Sequence, residues 1–541
     1  MVDVEGVIHK EAVGNMLKST RYFNVAGPCI PGKHYMLDPL RGINDKLMDL
    51  INDEQYFVIH AARQSGKTTL LKQLTRDINA AGEYYAVYCN LEVVQVLTDP
   101  ERGIPAIVKT LLSAFEDGGM PDGFAAGADY GDITGVLKKS LSVYCKTLNK
   151  PLVVFFDEAD CLSDDTLITF LRQFRAGYIN RGDVPFVRSV ALVGMRNLRD
   201  YKAKARGDSP TLGSSSPFNI VTEAFSLRNF TAAEVAELYA QHTTETGQVF
   251  ERQAADYVFE QTQGQPWLVN AVARECVEKI TQKDYTVRIT QGMTEQAVNN
   301  IILARGTHVD SLLERLKESR VRRIIQPLII GECVADKGDD DYMFTKDLGL
   351  IRDDRNRIEP ANPIYAELIF RSLTQKAQES IRNAGEDYAP LKYIKDGKID
   401  MNALVRSFQS YWRKNSEIWK ARYKTDLYEY DEAAAHLVMH AFLQRIVNGG
   451  GRVHREAAAD TKRVDILVEY NGVEYPVELK ILQSENCRAE SLKQIRGYMD
   501  KLGADEGWLI IFDKDTAKSW DEKVYVTEET VDGKRVTVAG C

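Results

Sequence analysis

His60-Ala61-Ala62-Arg63-Gln64-Ser65-Gly66-Lys67-Thr68-Thr69 is the stretch on which the fold turns. An apolar run, Tyr56-Phe57-Val58-Ile59, precedes it, and a periodic run, Leu70-Leu71-Lys72-Gln73-Leu74, follows. Strand, tight loop, helix is the setting that a phosphate-binding loop requires. In such a loop successive backbone N–H groups converge on an anion, and the new helix adds its positive end. Ala61, Ala62, Arg63, Gln64, Ser65, Gly66, Lys67, Thr68 and Thr69 are therefore the expected phosphate cradle. Lys67 is placed to reach the β- and γ-phosphates, and Thr68 to set its hydroxyl on Mg²⁺. The pattern G-x-x-x-x-G-K-[ST] is broken once, because Ala61 stands where the first glycine belongs. Gly66, which the wrap around a phosphate most needs, is kept.

Further along, Leu152-Val153-Val154-Phe155-Phe156 reads as a fully buried parallel strand that ends in Asp157-Glu158. Open α/β sheets bind ligands at the carboxyl ends of their strands. Asp157 is expected in the Mg²⁺ shell, and Glu158 is expected to polarise the attacking water of ATP hydrolysis. Ser189 to Gly194 reads as another buried strand, and Arg196 or Asn197 just past it is the candidate γ-phosphate sensor. The letters Asp157-Glu158-Ala159-Asp160 also spell a helicase box, but no second motor domain follows, so that reading is set aside. Tyr84 to Cys89 suits a strand. Leu37 to Arg41 is expected to start a helix running toward Ile51, and residues 103–147 read as helices with breaks at 117–132. Residues 207–217 read as a surface loop by composition. Thr231-Ala232-Ala233-Glu234 is a capping box that opens a helical stretch.

The chain has 541 residues, which calls for more than one domain. Its formal net charge of −9 argues against a generally basic nucleic-acid coat protein. Any nucleic-acid contact must come from local patches. The eight cysteines form no C-x-x-C pair, so neither a zinc site nor a disulfide framework is indicated. No signal-like or membrane-length apolar run is present, so the expectation is a cytoplasmic protein with no membrane contact.

Asp157-Glu158, the strand ending near Arg196 and the Gly264-Gln265-Pro266 turn among helices together resemble the STAND branch of AAA-type ATPases. The nearest look-alike is the archaeal-type clade with R-Q-S-G-K-T-T loops. The resemblance covers roughly residues 35–290. It implies ATP as the cofactor, a helical lid over the sheet, and Pro266 packed on the nucleotide. It also implies a homo-oligomer that forms on ATP binding.

Residues 296–375 resemble a winged helix. Helices are expected at Val321–Ile329 and within Asp340–Ile351, the second ended by its glycine, then a charged turn from Arg352 to Pro360 and a helix from Ile364 to Leu373. Asp339-Asp340-Asp341 at its turn opposes phosphate, so interdomain packing competes evenly with DNA contact. Residues 384–400 read as a charged linker. Tyr411-Trp412-Arg413-Lys414 and Trp419 to Lys424 interleave aromatics with base, as a single-strand tracking surface does. A helix with its aromatics inward and its bases outward is the favoured reading of that segment.

A second site lies near the C-terminus. Val464 to Tyr470 and Val473 to Lys480 are strand-like and flank Asn471-Gly472, the strongest short signal of a two-residue hairpin. With Tyr470 facing Val473, Asp465 falls opposite Glu478, and Lys480 shares their face. Like charges opposed across a hairpin destabilise it. Such a pair with a lysine beside it is expected to hold a divalent cation, Mg²⁺ or Mn²⁺, for phosphodiester chemistry. Lys480 would orient water or neutralise developing charge. Gln494 and Tyr498 share one helical face further on. Asp465, Glu478 and Lys480 resemble the motif of the PD-(D/E)xK nucleases, and Gln494 with Tyr498 resembles the Q-x-x-x-Y element of its RecB-like members. The resemblance covers roughly residues 426–525 and implies a restriction-endonuclease-like sheet and a further acid from an N-terminal helix. Glu432 is the candidate for that ligand and Glu456 the second choice.

The expected organisation is α/β and multidomain. A lead-in spans 1–34, a P-loop ATPase core 35–230, a helical lid 231–295 and a winged-helix-like region 296–375. A helical linker spans 376–425 and a nuclease-like domain 426–541. The expected function is ATP-organised, metal-dependent cleavage of nucleic acid, DNA first, with microbial defence or mobile-element conflict as the setting by family analogy. Two alternatives stand beside it. One is an ATP-driven signalling switch whose nuclease-like domain only binds nucleic acid. The other is a helicase-like motor that feeds DNA to the nuclease.

Overall fold

The computed structural model describes residues 21–41, 43–124, 132–195, 221–304, 314–329, 337–354, 357–372, 390–423, 438–443, 451–459, 462–482, 485–513, 515 and 517–541. The chain divides into two compact units. The first takes in residues 1–305, 343–352 and 361–364, and the second the remainder. Residues 296–375 are thus shared between the two.

The first unit is built on a five-stranded parallel sheet in the order β2-β3-β4-β1-β5. Its strands are β1 (Tyr56–His60), β2 (Tyr85–Asn90), β3 (Leu152–Asp157), β4 (Ser189–Gly194) and β5 (Val221–Ser226). Every residue of β1, β3 and β4 is buried, which is why these strands read as unbroken apolar runs and not as alternations. Helix α1 (Asn44–Asn52) and α2 (Lys67–Ala81) pack on one face of the sheet. Helices α3 (Pro100–Asp117), α4 (Val136–Thr147) and α5 (Asp164–Ile179) close the other. The helix expected from Leu37 begins only at Asn44. Pro39 offers no amide, and Asp38 Oδ1 accepts from the Leu40 N–H at 2.9 Å, so the chain turns before it coils.

A helical lid follows. Thr231 and Glu234 form the expected capping box at the start of α6 (Ala232–Thr246). Then come α7 (Arg252–Thr262), α8 (Pro266–Arg274) and α9 (Gln291–Ala304). Residues 21–37 are strapped to this lid. Phe23 and Tyr35 pack with Tyr239 and His242 in one aromatic cluster, and the Trp267 indole donates to the Val25 carbonyl at 2.8 Å.

Two expectations for the middle of the chain need correction. Helices α10 (Ser319–Ile329) and α11 (Asp340–Asp347) are present. Gly349 at φ 74° ends α11, and residues 352–354 and 357–360 are strand and not turn. They belong to a two-stranded sheet, β6 (Ile351–Asp354) with β7 (Arg357–Pro360), followed by helix at 363–372. Two of the acids at 339–341, Asp339 and Asp341, are paired with arginines within the fold. Arg323 reaches Asp339 at 2.6 Å and Asp341 at 2.8 Å, and Arg320 meets Asp341 at 3.1 Å. The charged linker is also structured where it is described. Asp396-Gly397, both at positive φ, turns β8 (Ile394–Lys395) into β9 (Lys398–Ile399).

The second unit carries a six-stranded mixed sheet, β10-β11-β12-β13-β15-β14. Its strands are β10 (Gly451–Ala459), β11 (Lys462–Tyr470), β12 (Val473–Ile481), β13 (Glu506–Phe512), β14 (Val526–Val531) and β15 (Lys534–Gly540). The Asn471-Gly472 turn closes as read, with Tyr470 opposite Val473 and Ile466 opposite Val477. Strands β12 and β13 are parallel and need a crossover, which helix α13 (Glu485–Leu502) supplies. Helix α12 (Met401–Tyr423) covers the opposite face. Its Tyr411 is buried and its Trp412 packs against Phe408 and Phe512, so these two aromatics face the core and not a nucleic acid. The side chains of Trp419 and Tyr423 lie outside the described residues.

Gly264 holds the lid's turn at φ 69°, and a Cβ built there lands on the Phe230 carbonyl. Gly264→Ala is therefore expected to cost at least about 2 kcal/mol, from backbone strain plus a clash with backbone that cannot yield. A lowered melting transition for the first unit checks this; an unchanged one contradicts it.

Candidate functional site

The phosphate loop takes the shape its residues dictate. Gly66 sits at φ 97°, a conformation closed to most side chains, and directly caps α2. No side chain caps that helix, so its first amides remain available to an anion. Lys67 is 7% exposed, and its Nζ donates to the carbonyls of Ala61 at 2.8 Å and Ala62 at 2.9 Å. Burial lowers its pKa, and the nearby charge of Glu158 opposes that shift. A buried ammonium held by neutral carbonyls is a good fit for phosphate oxygens. Arg63 and Gln64 are exposed on the rim, and Ser65 ties the loop by donating to the Ala62 carbonyl at 2.8 Å.

Asp157 is where the loop, the sheet and β2 meet. It is 1% exposed. Its Oδ2 accepts from Thr68 Oγ1 at 2.7 Å and from the Tyr88 hydroxyl at 3.0 Å, and its Oδ1 accepts from the Glu158 amide at 3.0 Å. Glu158 follows at φ 53°, a strained conformation of the kind functional sites retain. Its pKa is raised by burial first and by the Asp157 charge second. Asp160 accepts from the Met195 amide and so joins this turn to the end of β4. Arg196 and Asn197, the expected sensors, lie outside the described residues, as do residues 207–217.

A cleft opens beside the loop. Ser65, Gly66, Thr69 and Pro266 are among the residues that line it. The Thr69 hydroxyl also accepts from the Cys29 amide at 3.0 Å, which fastens the N-terminal strap to the loop helix. Sequence reasoning missed three contacts here. Tyr88 reaches Asp157, His60 Nδ1 stands 3.6 Å from Asp347, and Gly349 presses on Ala62. None has a short-range signature, because each joins elements distant in the chain.

The second constellation lies on the α13 face of the other sheet. Glu478 and Lys480 sit on the central strand β12, in register with Leu509 and Ile511 of β13. Glu478 is fully buried, and neither of its carboxylate oxygens has a hydrogen-bond partner. Lys480 Nζ stands 3.0 Å from Oε1 as an ion pair. Asp465 differs from expectation in one detail. The β11–β12 ladder ends at Ile466–Val477, one step short of Asp465 and Glu478. Asp465 instead turns its Oδ2 to the Leu479 amide at 2.9 Å, taking the donor that the departing strand leaves free. Burial, then the charge of Asp465, pushes the Glu478 pKa up to about 8 against the pull of Lys480. Over this face Tyr498 packs on Leu467, and Gln494 Nε2 donates to its hydroxyl at 3.0 Å.

An orphaned buried carboxylate beside a second carboxylate suits a hard divalent cation. Among the described residues, however, no group of three or more His, Cys, Asp or Glu side chains gathers around a common point. Glu432 lies outside the described residues, and so does the side chain of Glu456 on β10.

Residues 43–371 match the family model of an AAA-like domain. No curated protein matches the chain by sequence. Among solved structures, a Walker-type ATPase of Pyrococcus abyssi is 13% identical with a TM-score of 0.44, covering 64% of this chain and 99% of its own. The Holliday junction branch migration motor RuvB of Thermotoga maritima is 11% identical, with a TM-score of 0.32 over 60% of this chain and 94% of its own. Cdc6p of Pyrobaculum aerophilum is 14% identical, with a TM-score of 0.34 over 64% of this chain and 97% of its own. The family match, and not these superpositions, carries the assignment. Among the described residues no helix is long and apolar enough to cross a membrane.

The elevated pKa of Glu478 has a readable sign. Its folded value of about 8 lies above the unfolded one, so the metal-free folded chain binds the extra proton. Stability contributed by this group is present at low pH and is lost as pH rises toward 8. In chelator, Glu478→Gln should therefore gain melting temperature relative to wild type progressively from about pH 5 to pH 8. A difference that does not change with pH contradicts the assignment.

Proposed function

The chain belongs to the AAA-like domain family, and from that premise we propose that its P-loop ATPase core organises a metal-dependent nuclease site in its second unit, with DNA as the substrate. The observation that carries the nuclease half is Glu478, a fully buried carboxylate with no hydrogen bond, beside Asp465 and Lys480. Among the described residues Lys480 is the one charged partner of that carboxylate, and a divalent cation would compensate it together with the neighbouring Asp465. The resemblance to PD-(D/E)xK nucleases names the chemistry such a cation serves.

In the ATPase core, Lys67 and the first amides of α2 hold the β- and γ-phosphates, and Thr68 with Asp157 holds Mg²⁺. Glu158 orients the attacking water, and its burial keeps competing solvent from that carboxylate. In the second unit, Asp465 and Glu478 would hold a divalent cation, which would supply positive charge for the phosphate and activate water. Lys480 pairs with Glu478 in the metal-free chain. It would neutralise the phosphate or orient the nucleophile. Gln494 fixes the Tyr498 hydroxyl on the rim of the same face. Any role in microbial defence is an extension of family analogy.

A second reading keeps the ATPase as an assembly switch and leaves the second unit as a nucleic-acid binder. It is favoured by the absence of a third acid among the described residues around Asp465 and Glu478. Cleavage separates the two readings. Purified chain should cut DNA with Mg²⁺ or Mn²⁺. Asp465→Ala should lower the rate at least a thousandfold without unfolding the chain, and Lys480→Ala should do so while retaining metal binding. Both variants should still hydrolyse ATP. DNA binding without any cutting by wild type would favour the switch.

The ATPase half has its own test. Lys67→Ala should weaken ATP binding by at least about tenfold. Glu158→Gln should bind ATP normally and turn it over at least about a hundredfold more slowly. If ATP also drives assembly, the Glu158→Gln chain should gain mass by light scattering when ATP is added. Wild-type turnover by Glu158→Gln contradicts its role.

A further inference from the structure

The cleft beside the phosphate loop holds a buried amide oxygen with no hydrogen-bond partner, besides Arg41 Nε, which faces the Glu234 carboxylate at 3.4 Å. Asn270 lies one helical turn beyond Pro266 on α8, and both line the cleft. Its side chain is buried, at 6% exposure. The amide nitrogen donates to the Pro266 carbonyl at 2.8 Å. A carbonyl can only accept, so this bond fixes which end of the amide is which. The Asn270 oxygen must point the other way, and it has no hydrogen-bond partner. Buried acceptors are nearly always satisfied, so a lone exception on a cleft wall calls for a donor from the ligand.

The rest of the wall makes the requirement specific. Leu37, Ile43, Phe230 and Leu238 are apolar and suit a flat aromatic ring. Its two guanidinium groups are already engaged. Arg228 pairs with Glu234 at 2.6 Å. Arg41 stands 3.4 Å from Glu234 and lies over the Phe230 ring. These donors are held in place by an acid, whereas the Asn270 acceptor is open.

We propose that Asn270 reads the nucleotide base: its amide oxygen accepts from the exocyclic amine of adenine and so selects ATP over GTP. Guanine presents a carbonyl at the corresponding ring position, and an acceptor facing an acceptor is repelled. The proposal rests on the reading of this cleft as the ATP site.

The test is equilibrium binding of three probes to the full chain: ATP, GTP and purine riboside triphosphate, which is adenosine triphosphate without the amine. Wild type should bind ATP about tenfold more tightly than the purine analogue, the worth of one buried hydrogen bond. GTP should bind more weakly than either. Asn270→Leu should bring ATP and the analogue within about twofold of each other while the analogue's own affinity is kept. Equal wild-type affinity for ATP and the analogue overturns the proposal and leaves the ATP site standing. Failure of wild type to bind any of the three overturns the reading of the cleft itself. A preference that survives in Asn270→Leu, or one that tracks the ribose hydroxyls in 2′- and 3′-deoxy analogues instead, also overturns it. The wild-type comparison needs no variant, so a failure of Asn270→Leu to fold leaves the proposal testable.

Discussion

Burying a carboxylate is costly unless something compensates its charge, and both sheets of this protein place one at a site where chemistry would occur. Asp157 and Glu478 are each almost wholly removed from water. The cost is met differently in the two. Asp157 draws in two hydroxyls and a backbone amide, and in doing so fixes the loop helix, β2 and β3 against one another. Glu478 has no hydrogen-bond partner and keeps one ion pair, with Lys480. The first arrangement is complete within the chain. The second is completed by a proton or by a cation, and its raised pKa expresses that choice.

The same logic extends to the cleft. A lysine held by neutral carbonyls, uncapped helix amides and a lone amide acceptor are all groups that fold well enough alone but bind better than they are satisfied. Asn270 differs from the loop residues in being set by the lid. Residues of the strap, the lid and the phosphate loop line one cleft, so a bound nucleotide would touch all three.

What was legible in the sequence was local. Gly66 needs a positive φ, buried parallel strands lack polar interruptions, and Asn-Gly sets a hairpin register; each rule acts over a few residues and each appears in the fold. The end of that hairpin ladder was not legible. Whether the pairing runs one residue further depends on how Asp465 competes for the Leu479 amide. Tyr88 and His60 with Asp347 were equally hidden, since their partners are brought together only by sheet order and packing between distant elements. The Asp396-Gly397 turn carried the same kind of signal as Asn471-Gly472, but its flanking strands are two residues long and left no alternation to read. The glycine end of α11 was legible, and Gly349 at φ 74° does stop that helix.

The central claim is that Asp465 and Glu478 form a cation site, and location of the ion tests it without any need for activity. Crystals equilibrated with Mn²⁺ give anomalous scattering at the metal. The account predicts one peak within about 2.0–2.4 Å of an oxygen from each carboxylate, with the Lys480 ammonium withdrawn from Glu478. The absence of a peak at saturating Mn²⁺, with Lys480 still paired to Glu478, would contradict it.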